Sequence, residues 1–155
     1  MRTFPHGVLA MMLTLGACII PVIGADDHVM VTPDDLKWED MPSFPPGVKG
    51  TVIEGPLDQA TPFIIRFKFP ADYQFSPHWH PGIEHITVLS GTLHLGIADK
   101  LDVAKTKALP TGSVVIVQPT MPHFGWTKEE TVVQVHGIGP FAITYVNPAD
   151  DPRNK

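Results

Sequence analysis

The sequence predicts an all-β fold, because short strand-like runs recur along its 155 residues with turn residues between them. The runs are rich in β-branched and aromatic residues, and no window of about eleven residues keeps a helical period. The 17 Pro and 13 Gly residues divide the chain into short pieces, which disfavours long helices. Hydrophobic residues make up 43% of the chain and charged residues only 17%, enough for a packed core. We therefore expect a β-sandwich or a small β-barrel.

The first 25 residues have the pattern of a secretory signal peptide. Arg2 precedes an apolar stretch over 7–24, and small residues stand just before the first acidic pair. An uncleaved membrane anchor is one alternative, because about 18 apolar residues approach the length of a span. A lipid anchor is another, since the letters LGAC ending at Cys18 resemble a bacterial lipobox. We expect a cleaved signal over 1–25 and a periplasmic or secreted protein without membrane association.

The remaining chain divides into three predicted segments. Residues 26–50 form an acidic, Pro-rich N-terminal arm with one short strand, residues 51–147 form the barrel, and residues 148–155 form a C-terminal tail. A chain of this length contains one domain by default. The runs interpreted as barrel strands are 51–54, 63–69, 83–89, 92–97, 114–117, 131–136 and 141–146.

The sequence predicts the structure of two connections between these runs. Ser90-Gly91 stands between two strand-like runs and predicts a β-hairpin turn. Residues 99–107 are the least strand-like part of the barrel, and we interpret them as a turn or loop.

Charge and cysteine content exclude two classes of function. The formal net charge is −5 and no basic run occurs, so the sequence lacks the electrostatic pattern of a nucleic-acid-binding protein. Cys18 is the only cysteine and lies inside the predicted signal. After cleavage the protein would have no thiol chemistry.

Several of the eight histidines stand where they predict a metal site. His78 and His80 are two residues apart, which on a strand places both imidazoles on one face about 6 to 7 Å apart. Glu84 follows a Pro-Gly pair that can turn the chain back toward them, and His123 lies in a second Pro-punctuated segment. Imidazoles combined with a carboxylate suit iron, manganese, cobalt, nickel, copper or zinc. Clustering such groups without a shared ion would be costly.

These residues resemble the two motifs of the cupin superfamily. His78-x-His80-x3-Glu84-x6-Gly91 is similar to the first cupin motif, and Gly112-x10-His123 has the spacing of the second. The resemblance covers about 63–127 and is to small single-domain cupins of the conserved-barrel type. It implies a double-stranded β-helix, a jelly-roll barrel of six to eight strands, with His78, His80, Glu84 and His123 as metal ligands in its mouth.

The second motif departs from the family pattern at turn and packing positions. Gln118 stands where Pro is usual, Thr120 where Gly is usual, and Thr127 where Asn is common. His85 is an alternative to Glu84, since some cupins place four residues before the acidic ligand. Counting back from Gly91 selects Glu84, and strand alternation then turns His85 to the other face.

Other polar and aromatic side chains have less specific interpretations. His94 is expected to face solvent, and His136 is either exposed or near the pocket. Arg66 and Lys68 share a strand face that could hold an anion or simply be exposed. Three aromatic residues suit a pocket wall or the core, and two methionines are interpreted as core filler rather than copper ligands. These residues are Phe124, Trp126, Tyr145, Met121 and Met41.

Cleavage after residue 25 would expose a second candidate metal site. The new terminus would read Asp26-Asp27-His28, and its amine, two backbone amides and an imidazole suit square-planar Cu²⁺ or Ni²⁺. An incidental histidine in an acidic arm is the alternative.

The expected function is an exported metal-dependent enzyme, similar to cupin oxygenases, that acts on a small organic molecule. Dioxygenases and isomerases are the reaction classes that the resemblance favours. The alternative is a non-catalytic cupin that binds or senses a small ligand around a structural metal. In either case we expect one divalent transition metal ion and a possible homodimer formed through sheet edges, as many cupins have.

Overall fold

The computed structural model describes residues 28–155, within which 31–155 form one compact unit. In this part of the chain eleven β-strands carry the fold. Helical structure in the same residues is limited to short 3₁₀ turns at Pro33–Asp35, Val103–Lys105, Pro148–Asp150 and Pro152–Asn154. The strands are β1 (Glu39–Asp40), β2 (Lys49–Glu54), β3 (Pro62–Phe69), β4 (Tyr73–Trp79), β5 (Glu84–Ser90), β6 (Thr92–Ile97), β7 (Lys107–Pro110), β8 (Val114–Val117), β9 (His123–Thr127), β10 (Thr131–Ile138) and β11 (Thr144–Tyr145).

The strands form two sheets in which neighbouring strands run antiparallel. One sheet has the order β1-β2-β3-β10-β5-β8, and the other has the order β11-β4-β9-β6-β7. Strands far apart in sequence lie side by side, as β3 and β10 do over eight paired residues. From β3 to β11 the chain changes sheet at every connection except the one between β6 and β7, which pair with each other as β1, β2 and β3 do. This confirms the predicted all-β jelly roll of the double-stranded β-helix type.

Side chains along the strands point alternately inward and outward, and many of those that point into the space between the sheets are phenyl rings. Phe63, Ile65, Phe67 and Phe69 of β3 are buried, while the residues between them face outward. Phe75 from β4 stacks on Phe69 with ring centroids 5.3 Å apart. Burying such side chains stabilises the fold by about 1.5 to 3 kcal/mol each. The core therefore holds the two sheets together.

The predicted hairpin at Ser90-Gly91 is wrong. Gly91 joins β5 to β6, and these two strands lie in different sheets. Gly91 has a φ of +73°, and a Cβ atom there would lie 2.6 Å from the carbonyl oxygen of Glu130. The pair is therefore a corner between the sheets, where only glycine fits. The sequence signal identified a turn but could not show that the chain changes sheet.

We expect Gly91→Ala to destabilise the protein much more than Gly112→Ala. Gly112 also has a positive φ, +87°, but no atom lies within 4 Å of the Cβ that alanine would add. In the Gly112 variant only backbone strain lowers the free energy of unfolding, by about 1 kcal/mol. The Gly91 variant must also relieve its contact with Glu130, so we expect a loss of at least about 3 kcal/mol. Urea denaturation of both variants measures the difference, and equal losses would show that the corner is not tightly packed.

Other strand boundaries also differ from the prediction. Residues 141–146 were expected to form one strand, but only Thr144–Tyr145 does so, because Phe141 and Ala142 turn toward the end of the barrel. The described residues contain eleven strands rather than six to eight, since short edge strands add to the barrel. Residues 99–107 form a connection as expected, with a 3₁₀ turn before β7 begins at Lys107.

No helix in residues 28–155 is both long and apolar enough to span a membrane. The predicted signal peptide over 1–25, including Cys18, lies outside the described residues. The same holds for Asp26 and Asp27 of the predicted terminal copper site, whereas His28 is described and is exposed.

Candidate metal centre

The four predicted ligands meet at one end of the barrel. His78 lies near the end of β4 and is paired in register with His123, the first residue of β9. His80 follows directly after β4, and Glu84 is the first residue of β5 in the other sheet. All four side chains are buried, with 2 to 4% of their surface exposed. The chain turn between His80 and Glu84 thus brings residues from both sheets to one point.

The distances among these side chains are those of a compact cluster. The ring centroids of His78 lie 4.4 Å from His123 and 5.0 Å from His80. The Oε2 atom of Glu84 lies 3.2 Å from Nε2 of His80 and 3.3 Å from Nε2 of His123. One ring nitrogen from each of the three histidines lies within 4.8 Å of the other two. The three histidines are positioned to bind a metal ion.

Backbone carbonyls fix the orientation of all three rings. Nδ1 of His78 donates to the carbonyl oxygen of Ser76 at 2.9 Å, and Nδ1 of His80 donates to that of Ala142 at 2.8 Å. Nδ1 of His123 donates to the carbonyl oxygen of Met121, two residues earlier, at 3.1 Å. A carbonyl oxygen can only accept, so each Nδ1 carries the proton and each Nε2 presents a lone pair. Hydrogen bonds of this kind orient metal-binding histidines.

Glu84 has no compensating donor within the described residues. Its Oε2 atom is buried, and no hydrogen-bond donor reaches it. The nearby Nε2 atoms of His80 and His123 are lone-pair acceptors in the tautomer that the backbone imposes. An ionised carboxylate would therefore face other acceptors across a desolvated space, which is costly. A cation among these atoms would satisfy all of them, so the residues fit a bound metal ion.

The titration of the cluster follows from its burial. Burial raises the pKa of Glu84 from 4.5 to about 8, because it disfavours the carboxylate. Burial, with a further contribution from His123, lowers the pKa of His80 to about 3. The pKa values of His78 and His123 are also lowered by burial. The metal-free site thus favours neutral histidines and a protonated glutamate, and a divalent cation would favour loss of that proton.

The cluster opens onto a cavity with apolar walls. The cavity has a volume of about 30 Å³, roughly the space of one water molecule. Among the described lining residues, the four predicted ligands are the only polar side chains. Phe141 stacks on the His80 ring, with centroids 4.8 Å apart and the planes 12° from parallel. The other lining residues are Phe44, Phe67, Phe69, Phe75, Ile86, Leu93, Leu95, Val133 and Val135.

The loop before His123 is held by backbone hydrogen bonds, although its sequence departs from the cupin pattern. Thr120, which stands where Gly is usual, has a φ of +60°. Its backbone N–H donates to the carbonyl oxygen of His80 at 2.8 Å, and Met121 N–H donates to Gln118 at 3.2 Å. Threonine thus adopts the left-handed conformation that glycine adopts easily, and the loop ties the two motifs together.

His85 and His136 lie away from the cluster. They face each other across β5 and β10, with ring centroids 5.0 Å apart and the planes at 16°. His136 is exposed and His85 is half-buried on the outer face of the six-stranded sheet. The structure therefore brings Glu84 to the cluster and leaves His85 on the opposite face, as strand alternation predicts.

The remaining candidates lie on outer faces or in the core. His94 was expected to face solvent, but it is half-buried and stacks on Trp126 with centroids 3.7 Å apart. Arg66 donates to the side chain of Gln134 at 3.0 Å, and Lys68 lies over a tryptophan ring, so neither lines the cavity.

Two further aromatic residues are buried. Phe124 does not line the cavity, whereas the Tyr145 ring lies 5.7 Å from the His78 ring. Met41 packs against the core as filler, whereas Met121 is partly exposed and contributes its carbonyl to His123.

Three contributions to the site are not predictable from the sequence. Phe141 lies in a strand-like run, but it covers His80. Phe44 belongs to the N-terminal arm, yet its ring lies 6.0 Å from the His78 ring. The carbonyl of Ala142 holds His80 from 62 residues away along the chain. Contacts between such distant segments leave no local periodic signal.

Residues 26–142 match the family described as the ChrR cupin-like domain. A comparison with curated proteins gave no match. Solved structures with the same fold include the polyketide cyclase RemF from Streptomyces resistomycificus, 20% identical with a TM-score of 0.65 over 81% of this chain and 89% of that one.

Two further similar structures are named for dioxygenases. One, from Methylibium petroleiphilum, is provisionally assigned as an acetylacetone dioxygenase; it is 17% identical, with a TM-score of 0.60 over 79% of this chain and 83% of that one. The other is the salicylate 1,2-dioxygenase of Pseudaminobacter salicylatoxidans, 13% identical, with a TM-score of 0.53 over 64% of this chain and 30% of that one. At these identities the likeness shows the fold alone. The family match spans well over half of the chain, and the protein therefore belongs to the ChrR cupin-like domain family.

Proposed function

We propose that this protein is an exported, metal-dependent enzyme of the oxygenase type that acts on a small organic molecule. His78, His80, Glu84 and His123 would hold one divalent transition metal ion. The observation that carries the proposal is the convergence of three oriented Nε2 atoms and an unpartnered carboxylate on one buried point. A bound ion of this kind would supply Lewis-acid or redox chemistry to a substrate oxygen or to dioxygen.

The protein's own residues would position and desolvate the substrate. The apolar walls exclude water, which strengthens electrostatic interactions at the ion. With the ion bound, Glu84 would be an ionised carboxylate beside it, because a divalent cation favours loss of the proton that burial otherwise keeps on this side chain. No lysine or arginine occurs among the described residues that line the cavity. The walls therefore favour a compact, uncharged substrate that contributes its own oxygen ligands and has no distant anionic group.

We expect the Fe²⁺-loaded protein to consume oxygen with 2,4-pentanedione and not with salicylate. Both molecules can present two oxygens to the ion, but the diketone is the smaller, and the small apolar cavity leaves little room for the benzene ring of salicylate. An oxygen electrode measures both rates, and Zn²⁺-loaded protein is the control because zinc is not redox-active. Oxygen uptake with salicylate alone would contradict the substrate class.

A non-catalytic role is the second candidate, because the cavity has space for little more than a water molecule. A closed site of this kind suits a structural metal or a sensor. Bound metal without oxygen uptake across a panel of diketones, phenols and keto acids would favour this candidate.

Export is proposed from the sequence pattern of residues 1–25. Amino-terminal sequencing of the protein from fractionated cells tests it. A mature chain beginning at Asp26 in the periplasm or medium supports cleavage, whereas a lipidated Cys18 in the membrane fraction would favour the lipid anchor.

A further inference from the structure

The loop between β1 and β2, residues 41–48, places one side chain inside the barrel. Phe44 is buried, and its ring edge meets Phe67 at 5.4 Å and Phe75 at 6.1 Å between centroids. The same ring lies 6.0 Å from the His78 ring, nearly perpendicular to it. A residue of the N-terminal arm is therefore part of the wall of the candidate metal centre.

Two tyrosines hold this loop on either side of Phe44. The Tyr145 hydroxyl donates to the carbonyl oxygen of Ser43 at 2.8 Å, and the Tyr73 hydroxyl donates to that of Pro45 at 2.7 Å. Both tyrosines belong to the five-stranded sheet. The loop is thus fastened to the barrel by two hydrogen bonds between side chains and backbone, which can break without unfolding either sheet.

A groove of about 600 Å³ lies on the outer side of the loop. Of the described residues, Phe44 alone lines both this groove and the cavity of the metal centre. Phe44 is therefore the residue that the two spaces share. The other residues of the groove are Asp40, Met41, Pro42, Pro46, Gly47, Val48, Pro152, Arg153 and Lys155.

We propose that this groove is the entrance to the metal centre and that Phe44 determines which molecules pass. The inference rests on the proposed metal-binding function. With Phe44 in place the inner cavity holds about one water molecule, so a substrate or a metal ion needs a wider path. Displacement of the ring would join the cavity to the groove. The apolar groove walls at Met41, Pro42 and Val48 suit the same compact apolar molecules as the cavity.

Metal release tests the route without requiring a known substrate. Wild-type protein and variants are loaded with one Zn²⁺ per chain, and its release is followed with an excess of a chromogenic chelator. We expect Phe44→Ala to keep the Zn²⁺ stoichiometry and to release the ion about tenfold faster or more, because the barrier between groove and cavity is removed. Leu109→Ala is the control: Leu109 is also a buried core residue but lines neither space, so its rate should stay within about twofold.

The tyrosines give a second test that leaves the ring in place. Tyr145→Phe and Tyr73→Phe each remove one hydrogen bond to the loop, and we expect about three- to tenfold faster release from each. These variants test the proposal even if Phe44→Ala does not fold. Wild-type rates in both tyrosine variants and in Phe44→Ala would overturn it. Faster release from Phe141→Ala than from Phe44→Ala would also overturn it, since Phe141 lines only the cavity.

The same experiment separates this inference from the proposed function. A wild-type protein that binds no Zn²⁺ at this site would contradict both. Stoichiometric binding with equal release from all variants would retain the metal centre and reject the Phe44 route.

Discussion

Replacing His80 with alanine is expected to lower the metal content of the purified protein from about one ion per chain to less than about a tenth. His80 contributes a buried Nε2 atom 3.2 Å from Glu84, and its orientation is fixed through Ala142. Alanine would remove the ligand and leave the carboxylate with fewer partners. Elemental analysis of the mature protein measures the loss, and oxygen uptake should fall with it.

His94→Ala is the matched control for this variant. His94 is a half-buried histidine of β6, and it stacks on Trp126 away from the cluster. We expect its metal content to match the wild type. Unchanged metal in His80→Ala would place the ion elsewhere, and a variant lacking Asp26 to His28 would then show whether the arm binds it.

The fold and the convergence of the four side chains could be predicted because both leave local patterns. Alternation along residues 63–69 marks a strand with one buried face, and the observed burial follows it. The spacing of His78, His80 and Glu84 indicates convergence on one point because a strand and a tight turn have fixed geometry. His123 was predicted from motif spacing, and its position beside His78 depends on the pairing of β4 with β9.

The remaining features depend on contacts between distant parts of the chain. The Gly91 turn has the composition of a hairpin, yet β5 and β6 enter different sheets because each finds its partners elsewhere. Phe44 has no periodic context, and its place in the core depends on Tyr73 and Tyr145 holding the loop around it. The sequence predicts a strand at Phe141, because an apolar run has the same pattern in a strand as in a loop that covers a site.

The metal-free protein is expected to be most stable near pH 6.5 and to lose stability, by about 1 kcal/mol or less, between there and pH 8. In the folded state the pKa of Glu84 is about 8, well above its ordinary value of 4.5. Between pH 4.5 and about pH 8, the Glu84 side chain is ionised in the unfolded chain but keeps its proton in the folded chain. Stability therefore falls as the pH rises through this range, and it levels off above about pH 8.

The histidines act in the opposite direction at lower pH. Their pKa values are lowered from 6.5, that of His80 to about 3, so the folded chain stays neutral where the unfolded chain gains protons. Stability therefore falls as the pH drops below 6.5. Below pH 6.5 the effect of the three histidines on stability exceeds the opposite effect of Glu84. The maximum stability is therefore expected near pH 6.5. Urea denaturation of the metal-free protein from about pH 5 to about pH 9, which includes both sides of the expected maximum, measures the profile.

Glu84→Gln separates the two contributions. Glutamine keeps the shape of the side chain and cannot ionise, so the loss between pH 6.5 and pH 8 should disappear while the loss below 6.5 remains. Metal binding gives a second measurement of the same proton. At pH 7 the wild type should release about one proton per metal ion, because the histidines are already neutral and Glu84 is not ionised. Calorimetry in buffers of different ionisation enthalpy counts that proton. Equal proton release from wild type and Glu84→Gln would mean that Glu84 does not bind the ion.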